Sequence, residues 1–457
     1  MMTANQYWDT YRNEYLAAVS ATLSVFMVVF TSAWSSPALP KLMSDDSPVP
    51  ITTDEGSWIV AIQAIGAVFG PIIAALTVDQ IGRKLALLGT VVPIVVGWIL
   101  IGVGNRVEFL YVARFLFGIS YGTVYAVAPI YLGEIASTAI RGTAGTLITV
   151  LDQTACMVMY SMGPYLEYRT LAWVSLFAPG LFLLSFIWMP ETPAHLLATN
   201  REEEAEKNLS WLRRTKSVSD ELIDLKASIQ SSSEERGSVM ELFAPAYRNN
   251  IRILAIIIFS MQMTGLLAIL GYAQTIFEKI STNLKPEEMS VVLGAVQMVA
   301  IFFPAVLVDR MGRRPLLLIS TAGVTIGLTV CSLSFAINYA SGTDDLGWLA
   351  FTSLMLYIVS FGLGLSTVTF AILCEIFPKN IRAYATAAFA MASALIVSVV
   401  AKLFQLALDE VGPYLPFAIF ATCGAVAWVL IYRYIPETKG RTLDEIQLIV
   451  RGKERKV

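Results

Sequence analysis

The sequence predicts an all-α membrane protein of twelve transmembrane helices in two six-helix halves, joined by a small cytoplasmic helical linker. An apolar excess, the placement of the basic residues and an internal repeat carry that prediction. Of 457 residues, 56% are hydrophobic and only 15% charged, with 32 Lys+Arg against 35 Asp+Glu. A soluble domain runs at about 25% charged. Each bilayer-crossing helix needs about 20 mostly apolar residues, so the apolar content suffices for roughly a dozen. The net charge of −3 does not supply the basic face that a nucleic-acid partner requires.

Long apolar runs bounded by charges and turn formers place the spans in order. The first six fall near residues 16–36, 57–78, 85–104, 107–131, 143–163 and 171–189, and the second six near 251–277, 289–308, 315–338, 347–374, 384–408 and 415–435. The first run is too long for the apolar stretch of a signal peptide, and no A-x-A-like cleavage site follows it, so it is retained as a helix. Lys and Arg accumulate in cytoplasmic loops. With both termini inside, the inner segments hold 25 of the 32 basic residues and the outer loops hold five: Lys41, Arg106, Arg169, Lys279 and Lys285. Both ends are therefore expected in the cytoplasm.

The stretch from Pro190 to Asn250 differs, carrying 19 of the 67 charges in 61 residues, with a helix-like run over 201–214 and a Ser/Glu-rich piece at Ser231–Glu235. The expected organisation is a half at 1–189, a linker at 190–250, a half at 251–435 and a cytoplasmic tail at 436–457. Asn208-Leu-Ser210 matches a glycosylation sequon, but on this topology it faces the cytoplasm and is discounted. His195, just past Pro190-Glu-Thr-Pro193, reads as a solvated loop residue.

The halves repeat. Asp79-Gln-Ile-Gly-Arg-Lys84 recurs as Asp309-Arg-Met-Gly-Arg-Arg314, Glu134-Ile-Ala-Ser-Thr-Ala-Ile-Arg141 as Glu375-Ile-Phe-Pro-Lys-Asn-Ile-Arg382, and Pro190-Glu-Thr-Pro193 as Pro436-Glu-Thr-Lys439. Two parallel six-helix repeats about a central axis are a transporter architecture, with the substrate site expected near the membrane midplane between the halves. Gly82 and Gly312 permit tight turns. Arg83, Arg141, Arg313 and Arg382 are planar forks that can pair bidentately with Asp79, Glu134, Asp309 or Glu375. A charge cluster of this kind on the inner face can hold the halves together in one state and release them in another.

Other chemistry is poorly supplied. Cys156, Cys331, Cys374 and Cys423 lie far apart in apolar stretches and read as core residues. With one histidine, and no nucleophile–base pair or metal cluster in the spans, an enzyme is not expected and no cofactor is called for. Gly66-xxx-Gly70, Gly118-xxx-Gly122 and Gly323-xxx-Gly327 read as close packing inside the bundle rather than dimerisation faces, so the chain is expected to act as a monomer. Among ionisable residues within spans, Arg114 is expected to contact a carbonyl or a carboxylate. Lys402, toward the outer end of span 11, can snorkel.

The polar residues that remain outline a cavity. Thr149, Asp152, Gln153 and Cys156 share one face of span 5, and polar groups at that depth should look into protein or a water-filled cavity. Span 7 offers Gln262, Gly265 and Tyr272, span 8 Gln297, and span 10 Thr367, Thr369 and Phe370. Amides, hydroxyls and an aromatic face in an apolar pocket suit a carbohydrate. Asp152 reads three ways: as a proton-coupling carboxylate, a ligand for substrate hydroxyls, or a structural partner of Arg114 or Gln153.

With these motifs in view, the chain resembles the sugar porter branch of the major facilitator superfamily over nearly its whole length. Trp34-Ser-Ser-Pro-Ala-Leu-Pro-Lys-Leu42 is similar to the insect branch that includes facilitated trehalose transporters. The resemblance implies sugar contacts at Thr149, Gln262, Gln297 and Ser393, an outer gate at Tyr272, and Phe370 at a position where many members carry tryptophan. Three departures stand out: Met261-Gln262 for paired glutamines, Leu267 for an asparagine, and Gly364-Leu-Ser-Thr-Val-Thr-Phe370 for a Gly/Pro-rich segment. Losing an amide would unpair sugar hydroxyls, and threonines for prolines should stiffen span 10. Proton-coupled members typically carry an acid in span 1, whereas Ser20–Ser36 contains none. The expected function is thus facilitated diffusion of a hexose or a disaccharide such as trehalose across the plasma membrane. The alternatives are a proton-coupled sugar or polyol symporter using Asp152, and a sugar sensor, although the 23 residues after Tyr434 are a short tail for a sensor.

Overall fold

A computed structural model describes residues 4–215, 217–234, 239–439, 441 and 445–446, without the side chains of 4–7, 231–234, 239, 305, 306, 308–310, 374, 379 and 380. The Asp309 and Cys374 side chains, the side chains of the Ser231–Glu235 piece and most of the tail expected at 436–457 therefore lie outside the described residues. In hydrocarbon a backbone must satisfy its own hydrogen bonds within the segment, which favours helices. The regular elements among the described residues are all helical.

Among the described residues, eleven helices are long and apolar enough to cross a bilayer: Trp8–Met43, Thr53–Ile81, Arg83–Val103, Val107–Ile135, Tyr168–Phe186, Pro245–Gly271, Pro286–Pro304, Arg313–Ser341, Gly347–Leu373, Ile381–Glu410 and Tyr414–Tyr434. They fall at the expected spans 1–4 and 6–12. Span 5 is the 22-residue helix Arg141–Met162, long enough to cross but less apolar because it carries Thr146, Thr149, Asp152, Gln153 and Thr154.

Several spans are interrupted, and the breaks in spans 1, 7 and 10 bear on the polar residues. Span 1 breaks at Trp34, between Ala4–Ala33 and Ser35–Met43. Span 7 breaks after Gln262, where Gly265 takes φ +79° and begins the short helix Leu266–Gly271. A Cβ at Gly265 would run into the Phe420 ring, so both the backbone angle and the space call for glycine. Span 10 does not stiffen as expected. It passes through a π turn at Gly362–Ser366 between Gly347–Phe361 and Thr367–Ile376. Ser320 Oγ accepts from the Leu365 amide at 3.0 Å and donates to the Ser360 carbonyl at 2.6 Å. This hydroxyl from span 9 replaces helix bonds that the π turn forgoes, and a Cβ at Gly364 would fall 2.6 Å from the Ser320 Cβ.

The chain divides into two compact units. The first comprises Met1–Ser32, Ile65–Cys156 and Glu167–Arg236. Within it, the Gly66/Gly70 stripe of span 2 lies backbone to backbone on the Gly118/Gly122 stripe of span 4: a Cβ at Gly66 would reach 3.0 Å from the Gly118 Cα, and one at Gly70 would run into the Thr123 amide. The glycine stripes thus pack helices of one bundle, as expected. Arg114 is buried and its Nη1 donates to the Thr31 carbonyl at 2.7 Å, the expected carbonyl contact. The expected linker carries the helices Pro193–Ala198, Glu202–Arg213 and Ser219–Glu234. Arg213 fastens them to span 1 through an ion pair with the fully buried Glu14 at 2.9 Å, and Glu14 also accepts from the Ser137 amide at 2.8 Å. The sequon residue Asn208 spends its amide on the Glu191 carbonyl at 3.0 Å.

The second unit comprises Ala33–Ala64, Met157–Leu166 and Gly237–Val457. The far parts of spans 1, 2 and 5 thus pack with the C-terminal helices: the Gln274 amide donates to Ser36 Oγ at 3.2 Å, Tyr160 Oη donates to the Leu270 carbonyl at 3.4 Å, and a Cβ at Gly271 would touch Val60 Cγ1 at 3.2 Å. Gly323 and Gly327 of span 9 face Ser360, Ser353 and Tyr357 of span 10, again inside the bundle.

The glycine stripe makes a direct test. Gly70→Leu is expected to destabilise the protein by about 1–3 kcal/mol or more, because overpacking here meets backbone rather than a yielding side chain. Thermal unfolding of the detergent-purified protein measures it, with Gly180→Leu, where a Cβ meets nothing within 4 Å, as the neutral comparison.

Candidate functional site

The repeated motifs build the same knot twice. Gly82 takes φ +93° and Gly312 φ +92°, each ending one spanning helix and starting the next. The first amides of a helix lack partners within it. In the first unit Glu191 supplies them, accepting from the Arg83 amide at 3.1 Å and from the Lys84 amide at 3.0 Å. In the second unit Glu437 accepts from the Arg313 and Arg314 amides, each at 3.0 Å. An anion at a helix N-terminus is also favoured by the helix dipole. A Cβ at Gly82 would strike the Glu191 carboxylate, and one at Gly312 would come within 2.9 Å of Glu437.

The arginine after each glycine then turns to a second carboxylate. Arg83 pairs with Glu134 at 3.1 Å and reaches Asp79 at 3.5 Å. Arg313 pairs with Glu375 at 3.1 Å. Asp79, Gly82, Arg83 and Glu134 therefore come together, and so do Gly312, Arg313 and Glu375. The other two predicted arginines stand apart from these knots. Arg141 is exposed at the first turn of span 5, and Arg382 donates to the Phe377 carbonyl at 3.2 Å.

His195 corrects an expectation: it is buried, not solvated, and its Nδ1 accepts from Arg83 Nη1 at 3.0 Å. An arginine can only donate, so this contact needs the neutral imidazole. Burial and, next, the Arg83 charge hold the His195 pKa below the ordinary 6.5. Glu191, Glu437 and His195 are site residues that side-chain pairing rules did not select. Their signal was the duplicated Pro-Glu-Thr.

The predicted substrate residues divide between the units. In the second, Gln262, Gln297 and Ser393 are all more than 90% buried. Gln297 Oε1 and Ser393 Oγ have no hydrogen-bond partner among the described residues. Gln262 closes the first segment of span 7 beside the Gly265 break. Tyr272 is fully buried, stacks on Phe404 at 5.5 Å and donates to the Ala401 carbonyl at 3.4 Å. Phe370 is half exposed and packs edge-on against Phe389. In the first unit Thr149 is exposed, and Asp152 and Gln153 are half-buried, with Gln153 Nε2 donating to Asp152 at 3.2 Å.

Lys402 does more than snorkel. Its ammonium pairs with Asp54, donates to Ser57 Oγ at 2.7 Å and sits 4.6 Å from the centre of the Trp58 ring, tying the start of span 2 to span 11 within the second unit.

Eleven apolar spanning helices with the more polar span 5 among the described residues, a charged knot repeated in both units and buried polar groups beside helix breaks define a membrane transporter. The family described as "Sugar (and other) transporter" matches residues 4–449, and the chain belongs to it. It is 30% identical over 441 residues to the facilitated trehalose transporter Tret1 of Apis mellifera ligustica, covering 96% of this chain and 88% of that one. It is also 30% identical to Tret1 of Anopheles gambiae, covering 97% of this chain but 56% of that longer protein. Among solved structures, the inward-open conformation of the xylose transporter XylE from E. coli superposes with a TM-score of 0.80 at 20% identity, covering 95% of this chain and 99% of that one, a likeness of fold.

Two outcomes follow. Glu191→Gln and Glu437→Gln are each expected to slow transport turnover roughly 5- to 30-fold, equivalent to about 1–2 kcal/mol for a buried charge at a helix terminus, with KM little changed. A His195 held below its unfolded pKa leaves stability unaffected above pH 6.5 and lowers it as pH falls below 6.5, because only the unfolded chain then takes up the proton. Thermal unfolding from pH 7.5 to 5.5 should therefore show a steeper acid loss in the wild type than in His195→Gln.

Proposed function

We propose that this protein is a facilitative sugar carrier of the plasma membrane with both termini in the cytoplasm, moving trehalose or a hexose by alternating access as a monomer. The residues at 1–189 and 251–435 act as its two moving halves, with 190–250 as the connecting cytoplasmic segment. The observation that carries the reading is the pair of buried polar atoms on Gln297 and Ser393 without a protein partner among the described residues, in the same unit as Gln262 and the aromatic face of Phe370. A buried polar group without a partner is costly by about 1–3 kcal/mol, and a passing ligand rich in hydroxyls removes that cost. These groups are neutral amides and hydroxyls, which suits an uncharged sugar better than an ion. The names of the Tret1 relatives support trehalose.

The two glycine–arginine knots serve as the hinge-side fasteners of the cycle, with Arg141, Arg382 and Asp309 as their exchange partners, and Tyr272 serves as the outer gate. The absence of an acid in Ser20–Ser36 supports passive transport.

The deciding experiment offers labelled trehalose, glucose, fructose and polyols to the purified protein in liposomes. Uptake of trehalose or a hexose, indifferent to an inward proton gradient, is the expected result. Uptake of none of them, or uptake driven by the gradient, would sink the reading. Gln262→Ala should raise KM about tenfold, the loss of one well-made hydrogen bond of about 1.4 kcal/mol, with delivery to the membrane intact.

A further inference from the structure

Asp152 is a carboxylate in a spanning helix whose partners are all neutral. Gln153 donates to it at 3.2 Å, and the Tyr125 hydroxyl faces it from span 4. Arg114, its candidate cationic partner, is directed instead at the Thr31 carbonyl. Tyr121, one turn before Tyr125 on the same helix face, completes the set, with its ring centre 4.7 Å from that of Tyr125 and tilted by 35°. Both tyrosines are half-buried, as are Asp152 and Gln153. Gln153 Oε1 is itself buried and unpartnered. All four side chains lie within the first unit.

The chemistry of this group is specific. An ionised carboxylate offers about four acceptor sites and no donor. Tyr125 and Gln153 fill two of them, and among the described residues no cation pairs with the carboxylate. The remaining sites suit two neighbouring hydroxyls of one ligand, both donating. The free Gln153 oxygen accepts a third hydroxyl. A sugar ring also has an apolar C–H face, which packs on an aromatic ring. We propose that Tyr121 and Tyr125, with Asp152 and Gln153, form a subsite for a vicinal diol, in which Tyr121 contacts the ring of the sugar and Tyr125 positions Asp152. This deepens the transport reading and rests on it, because it assigns the residues that select a pyranose with adjacent free hydroxyls.

The test uses the full chain in liposomes, with labelled trehalose as substrate and unlabelled trehalose and its 2-, 3- and 4-deoxy derivatives as competitors. For the wild type, at least one deoxy derivative should compete at least tenfold more weakly than trehalose, because a site built to bond a hydroxyl rejects the analogue lacking it. In Asp152→Asn that discrimination should shrink at least fivefold. Tyr125→Phe should shrink it in the same direction while keeping the ring. Tyr121→Leu should raise KM for trehalose about fivefold or more and leave turnover within twofold.

If the wild type discriminates and Asp152→Asn and Tyr125→Phe keep the same order and size of discrimination, the subsite is overturned while the transport reading stands. A wild type that takes up no trehalose overturns both. Tyr125→Phe also guards against a folding defect, since a purely structural role would lower turnover for every competitor set without altering their ranking. If Asp152→Asn instead abolishes a gradient-driven component of uptake and leaves the deoxy ranking untouched, Asp152 is a proton site and the proposal fails.

Discussion

The binding of one carboxylate to the start of one helix organises the charged knot of each unit. Where Gly82 and Gly312 reverse the chain, the next helix begins with amides that have no partner within it. Glu191 and Glu437 fill those positions from segments more than one hundred residues away in sequence, about 3 Å from the amides they serve. The glycine is required because its Cβ would occupy the carboxylate's place. The arginine that follows is held by its own captured amide, so its guanidinium is presented to Glu134 or Glu375 in a fixed direction. Remove the carboxylate, and the glycine turn, the helix start and the arginine's aim all lose their support together.

The interior follows a second constraint. A spanning helix can be broken only where something else takes up the freed backbone groups. In span 10 the Ser320 hydroxyl does this. In span 7, Tyr357 donates to the Thr264 carbonyl at 3.0 Å beside the Gly265 turn. Both supports come from spans 9 and 10, so the breaks near Gln262 and Phe370 depend on the same pair of helices, which pack closely through Gly323 and Gly327. The polar residues of these spans are therefore of two kinds: those that repair a break, and those such as Gln297 and Ser393 that retain unpartnered atoms.

The sequence made the helices legible because their apolar runs match the thickness of hydrocarbon, and each expected span overlaps an observed one. The ion pairs Arg83–Glu134 and Arg313–Glu375 were legible because opposite charges recur at equivalent places in two halves. Glu191 and Glu437 were marked only by the duplicated Pro-Glu-Thr, since their partners are backbone amides, which no charge-pairing rule identifies. His195 was misread because its neighbours in sequence are polar while its contact, Arg83, is 112 residues away. Span 10 was misjudged for a different reason. Threonine in place of proline restores a donor, but Gly362 and Gly364 let the helix widen, and the hydroxyl that stabilises the wider turn sits on another span. Lys402 shows the same limit, because Asp54 and Ser57 lie some 350 residues earlier and a lone lysine in an apolar run carries no sign of a distant partner.

The Lys402 contact also gives the molecule an intrinsic optical label. An ammonium held over an indole alters the electronic environment of that ring, and Trp58 holds one at 4.6 Å. Span 2 belongs in sequence to the first half and span 11 to the second. A separation of those helices strips the cation from the indole and changes its emission, so a variant that keeps Trp58 as its one tryptophan out of nine would report, without any attached dye, when this fastening opens and how quickly it closes again.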